Sequence, residues 1–292
     1  MTTKAGKIKD MSKRTIYIFG GVIELQQVKA GIDAGGTLLK IAYQENGAKH
    51  YRKYPIGEME SAISWLKMMA PDLGVALTGG KAHIVQQKFF PDGLMVPEFQ
   101  ATCEGARLLL LEEGKKLDAP FIIVNVGTGT SWHLVNGEKY ERILGSGMGG
   151  GTFMGLGALL TNEANYEKFT ELAASGQKGN LDLLVKDIYE SDQAPINGDL
   201  TAANFAKGLS VKHSPADRMA ALANMIAETI MLLTLQAAAI HKVKEVVFIG
   251  SSLIDNPLLK GTLNNYMTML SLDAIFLKNG EYCGALGAFL SV

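Results

Sequence analysis

The sequence is poor in the groups that mark many familiar chemistries. It has two cysteines in 292 residues, Cys103 and Cys283, and neither has a partner at metal-ligand spacing. That excludes a disulfide-stapled fold and a zinc site built on thiols. A single bridge between the two stays open, but two thiols in so long a chain better fit a reducing cytosol. Neither sign of charge is in excess, with 28 Lys and Arg against 29 Asp and Glu. A basic footprint for nucleic acid is therefore missing. No run reaches the roughly 20 nearly uncharged residues of a membrane span. The most apolar stretch, 225–240, carries Glu228, Thr229, Thr234 and Gln236 and reads as a buried helix. The first 27 residues are basic, with Lys4, Lys7, Lys9, Lys13 and Arg14. Their apolar run, 16–23, is short and contains Gly20 and Gly21, with no small-residue cleavage site after it. They are expected to be an extension outside the main fold. The five histidines are scattered, G-x-S-x-G is absent, and so is the P-loop G-x-x-x-x-G-K-[ST]. The expectation is a cytoplasmic protein with no membrane or nucleic-acid partner.

What is present is glycine in a telling arrangement. Three glycine-rich turns each follow an apolar run: Asp33-Ala34-Gly35-Gly36-Thr37, Gly127-Thr128-Gly129-Thr130-Ser131 and Gly250-Ser251-Ser252. Bare turns of this kind aim backbone N–H groups at an anion and let it approach closely. Three of them suggest one polyphosphate held from several sides, and the carboxylate of Asp33 suggests a phosphate-bound Mg²⁺. Asp33 is also ordinary turn chemistry, and Lys40 is either a solvated strand residue or a phosphate contact. A fourth run, 145–151, matches G-x-G-x-x-G. It comes mid-chain rather than at a first βα turn, and the acids near 20 residues on, Glu163 and Glu167, sit on an expected helix, which argues against a dinucleotide site.

Patterning predicts a hairpin of strands at 28–32 and 39–43, a helix at 59–69, a strand at 74–77 and a helix at 99–113. The design then repeats: a strand at 121–124, a glycine turn, a returning strand at 132–135, Asn136-Gly137 as a hairpin signal, and a strand at 140–144. Helices are expected at 152–161, 166–174, 180–189 and 201–208. A long one follows to His241, with Ser214 as N-cap, Pro215 at N1 and Asp217 at N3. A strand at 245–249, a helix at 257–270, a strand at 273–277 and a helix from Cys283 complete the chain. Two units that each open with a glycine-turned hairpin point to a duplicated α/β architecture. The expected division is 1–27 extension, 28–118 first domain and 119–292 second domain.

Two polar residues stand near this framework. Glu98 precedes a helix, where it is either a first-turn acid favoured by the dipole or a general base for a substrate hydroxyl. Arg142, just before the 145–151 run, is either a cation for transferring phosphate or a surface arginine.

Together the motifs resemble the type II pantothenate kinases of Bacilli. The resemblance rests on Gly31-Ile32-Asp33-Ala34-Gly35-Gly36-Thr37-Leu38-Leu39-Lys40, Leu77-Thr78-Gly79-Gly80, Pro97-Glu98-Phe99, Asn125 to Ser131, Gly149-Gly150-Gly151, Gly198 to Phe205 and Ile249 to Ser252. It runs from about residue 28 to the C-terminus. It implies an actin-like ATPase (ribonuclease H-like) fold with two domains around a nucleotide cleft, a homodimer with dimerisation helices in the second domain, and ATP-dependent phosphorylation of pantothenate. On that resemblance Glu98 is the catalytic base. The nucleotide positions are Asp33 to Lys40, Thr128, Gly150, Gly151, Thr152, Phe153, Met154, Tyr166 and Ser251. Glu98, Thr128, Ser131 and Arg142 face the substrate, and Asp33 holds Mg²⁺ through water. The runners-up are an N-acetylhexosamine kinase of the same fold and a non-catalytic ATP-binding regulator. Gln100, Ser146 and Met148 depart from the family's commoner residues, and residues 1–27 have no counterpart there.

Overall fold

The computed structural model describes residues 13–18, 21–26, 28–45, 47–70, 73–189, 195–209 and 212–292. They form two compact units: one extends to Gly105 and includes Gly284–Val292, the other is Ala106–Cys283. Lys4, Lys7 and Lys9 of the expected extension lie outside the described residues. Strands β1 (Lys13–Ile18) and β2 (Gly21–Gln26) pair only with each other, antiparallel, in a two-stranded sheet.

The first unit continues with β3 (Lys29–Ala34), β4 (Leu38–Glu45), β5 (Ala48–Pro55), α1 (Met59–Met69), β6 (Gly74–Thr78), α2 (Ala82–Phe89), β7 (Leu94–Met95) and the start of α3 (Glu98–Glu112). The sheet order is β5-β4-β3-β6-β7, with β3 antiparallel to β4 and parallel to β6. Side chains alternate across β3 as the pleat requires. Ala30, Ile32 and Ala34 join a core with Ile63 and Leu66 of α1. Gly31 and Asp33 point to the opposite face, against the C-terminal helix. A Cβ on Gly31 would lie 2.0 Å from the Ala285 carbonyl oxygen, so that helix can rest on β3 only because residue 31 is glycine.

The second unit runs β8 (Phe121–Val126), β9 (Thr130–Asn136), β10 (Lys139–Ser146), α4 (Gly150–Thr161), α5 (Tyr166–Ser175), β11 (Leu183–Leu184), β12 (Thr201–Ala203), α6 (Pro215–His241), β13 (Glu245–Ile249), α7 (Pro257–Met269) and β14 (Asp273–Phe276); α8 (Cys283–Phe289) crosses back to the first unit. Its sheet order is β10-β9-β8-β13-β14, with β8 antiparallel to β9 and parallel to β13. This repeats the first sheet strand for strand, so the expected duplication holds. The β9–β10 pair closes through Gly137 and Glu138, since Asn136 pairs with Lys139. Gly137 takes φ +60 and Asn136 does not take a positive φ, so the turn has glycine first, one position beyond the expected Asn-Gly pair.

The core helix α6 begins as expected: Ser214 Oγ accepts from the Asp217 N–H at 3.0 Å, a cap worth about 1 kcal/mol. It is the one described helix long and apolar enough to cross a membrane by length and composition. It is also the centre of the second unit's core, where Ile226, Ile230 and Thr234 are buried and the buried Trp132 indole donates to Thr234 Oγ1 at 2.8 Å.

Two expected helices are absent. Residues 180–189 form 3₁₀ turns around the short β11, and 201–208 begin as β12 and end in a 3₁₀ turn. Asp187 Oδ2 takes the Leu184 N–H and the buried Asp182 takes the Phe205 N–H, so side chains capture donors that a helix would need. Cys103 and Cys283 are both buried and are not joined by a disulfide.

Candidate active site

The first turn joins β3 to β4. Gly35 donates its N–H to the Leu38 carbonyl at 3.0 Å, closing a tight tip in which Gly36 and Thr37 are exposed. Ala34 and Leu39 are core residues, so they serve this turn through backbone alone. Asp33 and Lys40 are cross-strand partners, and the Lys40 ammonium lies 3.9 Å from Asp33 Oδ2. Burial pushes the Asp33 carboxyl above its ordinary value, and the Lys40 charge offsets this only in part. Two glycines make room for that carboxylate. A Cβ on Gly79 (φ +95) would lie 2.5 Å from Asp33 Oδ1, and one on Gly284 would lie 2.8 Å from Oδ2. Thr78 is the parallel partner of Asp33 on β6, and its buried hydroxyl has no hydrogen-bond partner among the described residues. A desolvated carboxylate beside an unsatisfied hydroxyl suits a hydrated divalent cation, so these residues fit Mg²⁺.

In the second unit three backbone turns stack. The Gly150 and Gly151 N–H groups donate to the Gly127 and Thr128 carbonyls, both at 2.8 Å. Ser252 Oγ donates to the same Gly127 oxygen at 2.8 Å, and Thr130 Oγ1 donates to the Met148 carbonyl at 2.7 Å. Gly250 (φ +109) passes so near β8 that a Cβ would sit 2.4 Å from the Val126 oxygen. Thr128, Gly150, Gly151 and Ser251 thus meet in one patch, at the N-terminus of α4. Thr152 Oγ1 closes the loop onto the Gly147 carbonyl at 2.7 Å. Phe153 is core, edge-on to Phe169 and to Tyr166, while Met154 is half-buried against the same cluster. Tyr166 donates from its hydroxyl to the Ser252 carbonyl at 2.8 Å, tying α5 to the third turn.

Ser131 and Arg142 lie on β9 and β10. Ser131 Oγ is hydrogen-bonded to His133 Nε2 at 2.9 Å. His133 is Arg142's cross-strand partner and is buried. Its pKa is lowered to about 4, first by burial and then by the Arg142 charge, so it is neutral near pH 7. The Arg142 guanidinium folds over Gly145, where a Cβ would be 2.0 Å from Nη2, and the strand bulges between Arg142 and Leu144. Glu98 opens α3 in the first unit and is exposed there beside Phe99.

The second unit holds another polar cluster, around the Gly198 to Phe205 segment. Lys178 Nζ donates to Asn224 Oδ1 at 3.1 Å, and the Tyr266 hydroxyl donates to Glu228 Oε1 at 2.6 Å. Burial opposes the charge of Glu228, but hydrogen bonds from Thr201, Tyr266 and Asn204 and the Lys178 charge outweigh it and hold its pKa low. Burial and the Glu228 partner drive the Tyr266 hydroxyl well above its ordinary range. A cavity of about 280 Å³ opens beside it, lined by Lys178, Asp199, Asn224 and Tyr266 among others. Asp199 itself pairs with Lys186 at 2.8 Å on the surface.

A family model described as Fumble matches residues 98–291. A type II pantothenate kinase of Oceanobacillus iheyensis is 41% identical over 264 residues, covering 90% of this chain and 99% of that one. The enzyme of the same name from Staphylococcus saprophyticus is 38% identical, over 89% of this chain and 99% of its own. The chain belongs to the type II pantothenate kinase family. Among solved structures it resembles component A of the (R)-2-hydroxyglutaryl-CoA dehydratase of Acidaminococcus fermentans, with TM-score 0.64, 19% identity and 91% and 98% coverage. It also resembles a ROK family glucokinase of Streptomyces griseus, with TM-score 0.53, 13% identity and 91% and 99% coverage. At those identities the likeness speaks for fold, which is the actin-like ATPase and sugar-kinase fold.

Several residues beside these groups gave no signal in the sequence. His133 behind Ser131 gave no signal, because a histidine on a strand looks like any other. Gly284 lies in a run of small residues whose close approach to Asp33 shows only once the helix is placed. Asn224 and Glu228 lie one turn apart on α6, but Lys178 and Tyr266 come from other elements, and no spacing in the sequence links the three.

Proposed function

We propose that this chain transfers the γ-phosphoryl group of ATP to the terminal hydroxyl of pantothenate, giving 4′-phosphopantothenate for coenzyme A synthesis. The observation that carries this reading is the 41% identity to a named type II pantothenate kinase across nearly its whole length. The part-buried carboxylate hairpin and the stacked glycine turns supply matching chemistry. Asp33 would hold Mg²⁺ through water, with Lys40 and the turn backbone at the phosphates. When bound, that ion would offset charge on the β- and γ-phosphates. The backbone patch of Thr128, Gly150, Gly151 and Ser251, with Tyr166 behind it, would grip the nucleotide by N–H groups and shape. Thr128, Ser131 and Arg142 would orient the acceptor, and Glu98 would take the proton from its hydroxyl as that oxygen attacks phosphorus. Neutral His133 can hold Ser131 without adding charge. We further read the chain as a cytoplasmic homodimer. Leu232 and Ile240 on α6 stay largely exposed, and a second copy is the occupant that would cover them. Mass spectrometry of a reaction with ATP, Mg²⁺ and pantothenate tests the proposal: a monophosphorylated pantothenate ester supports it, and ATP hydrolysis without that ester contradicts it.

A further inference from the structure

Lys81 follows Thr78-Gly79-Gly80 at the end of β6 and stands at the N-cap of α2. Its backbone N–H donates to the Ala34 carbonyl at 2.9 Å, which fixes it beside the first turn. Its ammonium reaches across that turn to the Gly36 carbonyl, at a long 3.4 Å. Lys40 faces Asp33 and Lys88 pairs with Glu60, but Lys81 forms no ion pair among the described residues. A Cβ added at Gly36 or at Gly80 would meet nothing within 4 Å, so both backbones beside Lys81 are bare.

The placement is unfavourable without a ligand. A helix start carries the positive end of the dipole and favours an acceptor side chain, and a lysine brings a like charge and no acceptor. The first turn of α2 has no acidic residue to compensate. A cation held against a helix start, over an anion-type turn, is matched by a ligand with several negative charges.

We propose that Lys81 is a phosphate-contacting residue of the nucleotide site, a second cation beside Lys40 that takes a non-bridging oxygen of the ATP polyphosphate. This deepens the kinase reading above and rests on it.

The test is calorimetric titration of ADP and of adenosine into the full chain, as wild type, Lys81→Met, Lys81→Arg and the surface control Lys88→Met. Loss of one charge-assisted contact should weaken ADP by about tenfold or more in Lys81→Met. Lys81→Arg should recover most of that loss, Lys88→Met should match wild type, and adenosine affinity should not change. Lys81→Gln stands in if the methionine variant melts early. ADP affinity unchanged in Lys81→Met, or an equal loss for adenosine, overturns the assignment. A wild-type chain that binds no ADP overturns the ATP reading itself, which separates the two failures.

Discussion

The tips of the two equivalent hairpins are built from opposite materials. In the first unit the β3–β4 tip carries a part-buried carboxylate and a lysine, with glycines 79 and 284 cut away around them. In the second unit the β8–β9 tip carries no charge; its carbonyls are taken by the Gly150 and Gly151 N–H groups and by Ser252. On the proposed reading, one sheet topology offers two ways of meeting a phosphate: fixed charge with room for a cation, and a rigid backbone surface. The first is an electrostatic device that the fold tolerates at some cost. The second is part of the packing, so it should fail through stability.

Asp33→Asn should separate activity from stability most sharply. Turnover should fall about 10²- to 10³-fold, since an amide would replace the carboxylate proposed to hold Mg²⁺. The folded Asp33 pKa is raised by burial, so its ionised form weakens the fold above that pKa. Asparagine should therefore melt no lower than wild type at pH 7, and any advantage should shrink as pH falls through the folded pKa. Melting curves from pH 7 to 4 check this, and an early-melting variant would break the contrast.

Gly250→Ala should do the reverse. A Cβ at φ +109, 2.4 Å from the Val126 oxygen, forces β8 and the third turn apart. The expected loss is about 2–4 kcal/mol in urea unfolding, with activity lost alongside.

His133 sharpens the comparison through pH. Its pKa is about 4, against 6.5 ordinarily, because burial and then Arg142 disfavour the cation. The unfolded chain binds that proton first, so the fold loses stability as pH drops from about 6.5 to 4. The loss is up to ~3 kcal/mol. This slope is opposite to that of Asp33. His133→Gln should flatten the curve in that window, and an unchanged slope would remove His133 from the account.

The smallest effect is expected at Arg142→Lys. The charge stays but the fork is lost, so pantothenate KM should rise or turnover fall by about tenfold, with ATP binding intact. Wild-type kinetics would return Arg142 to a surface role.

Much of this was legible from local patterns. Hairpins, glycine turns and the Ser214 cap follow from alternation and turn chemistry, which act over a few residues. What escaped was long-range. Leu181, Leu184 and Val185 are spaced like a helix face, yet Asp182 and Asp187 divert the backbone donors there. Residues 201–208 have helix-forming alanines, but Thr201 and Ala203 pair with β11 and Phe205 takes φ +58. The C-terminal helix reads as the end of the second half, whereas the glycines at 31 and 287 let it pack with β3 and α3 in the first unit.

The claim that joins both tips to one reaction is acceptor-dependent phosphoryl transfer with Glu98 as base. It is tested most directly by coupled ADP release with pantothenate, with N-acetylglucosamine and with no acceptor, in wild type and Glu98→Gln. The account predicts rapid release with pantothenate alone, falling by about 10²-fold or more in the glutamine variant with ATP affinity kept. Release that is equal with all three additions, faster with the sugar, or undiminished in Glu98→Gln would contradict it.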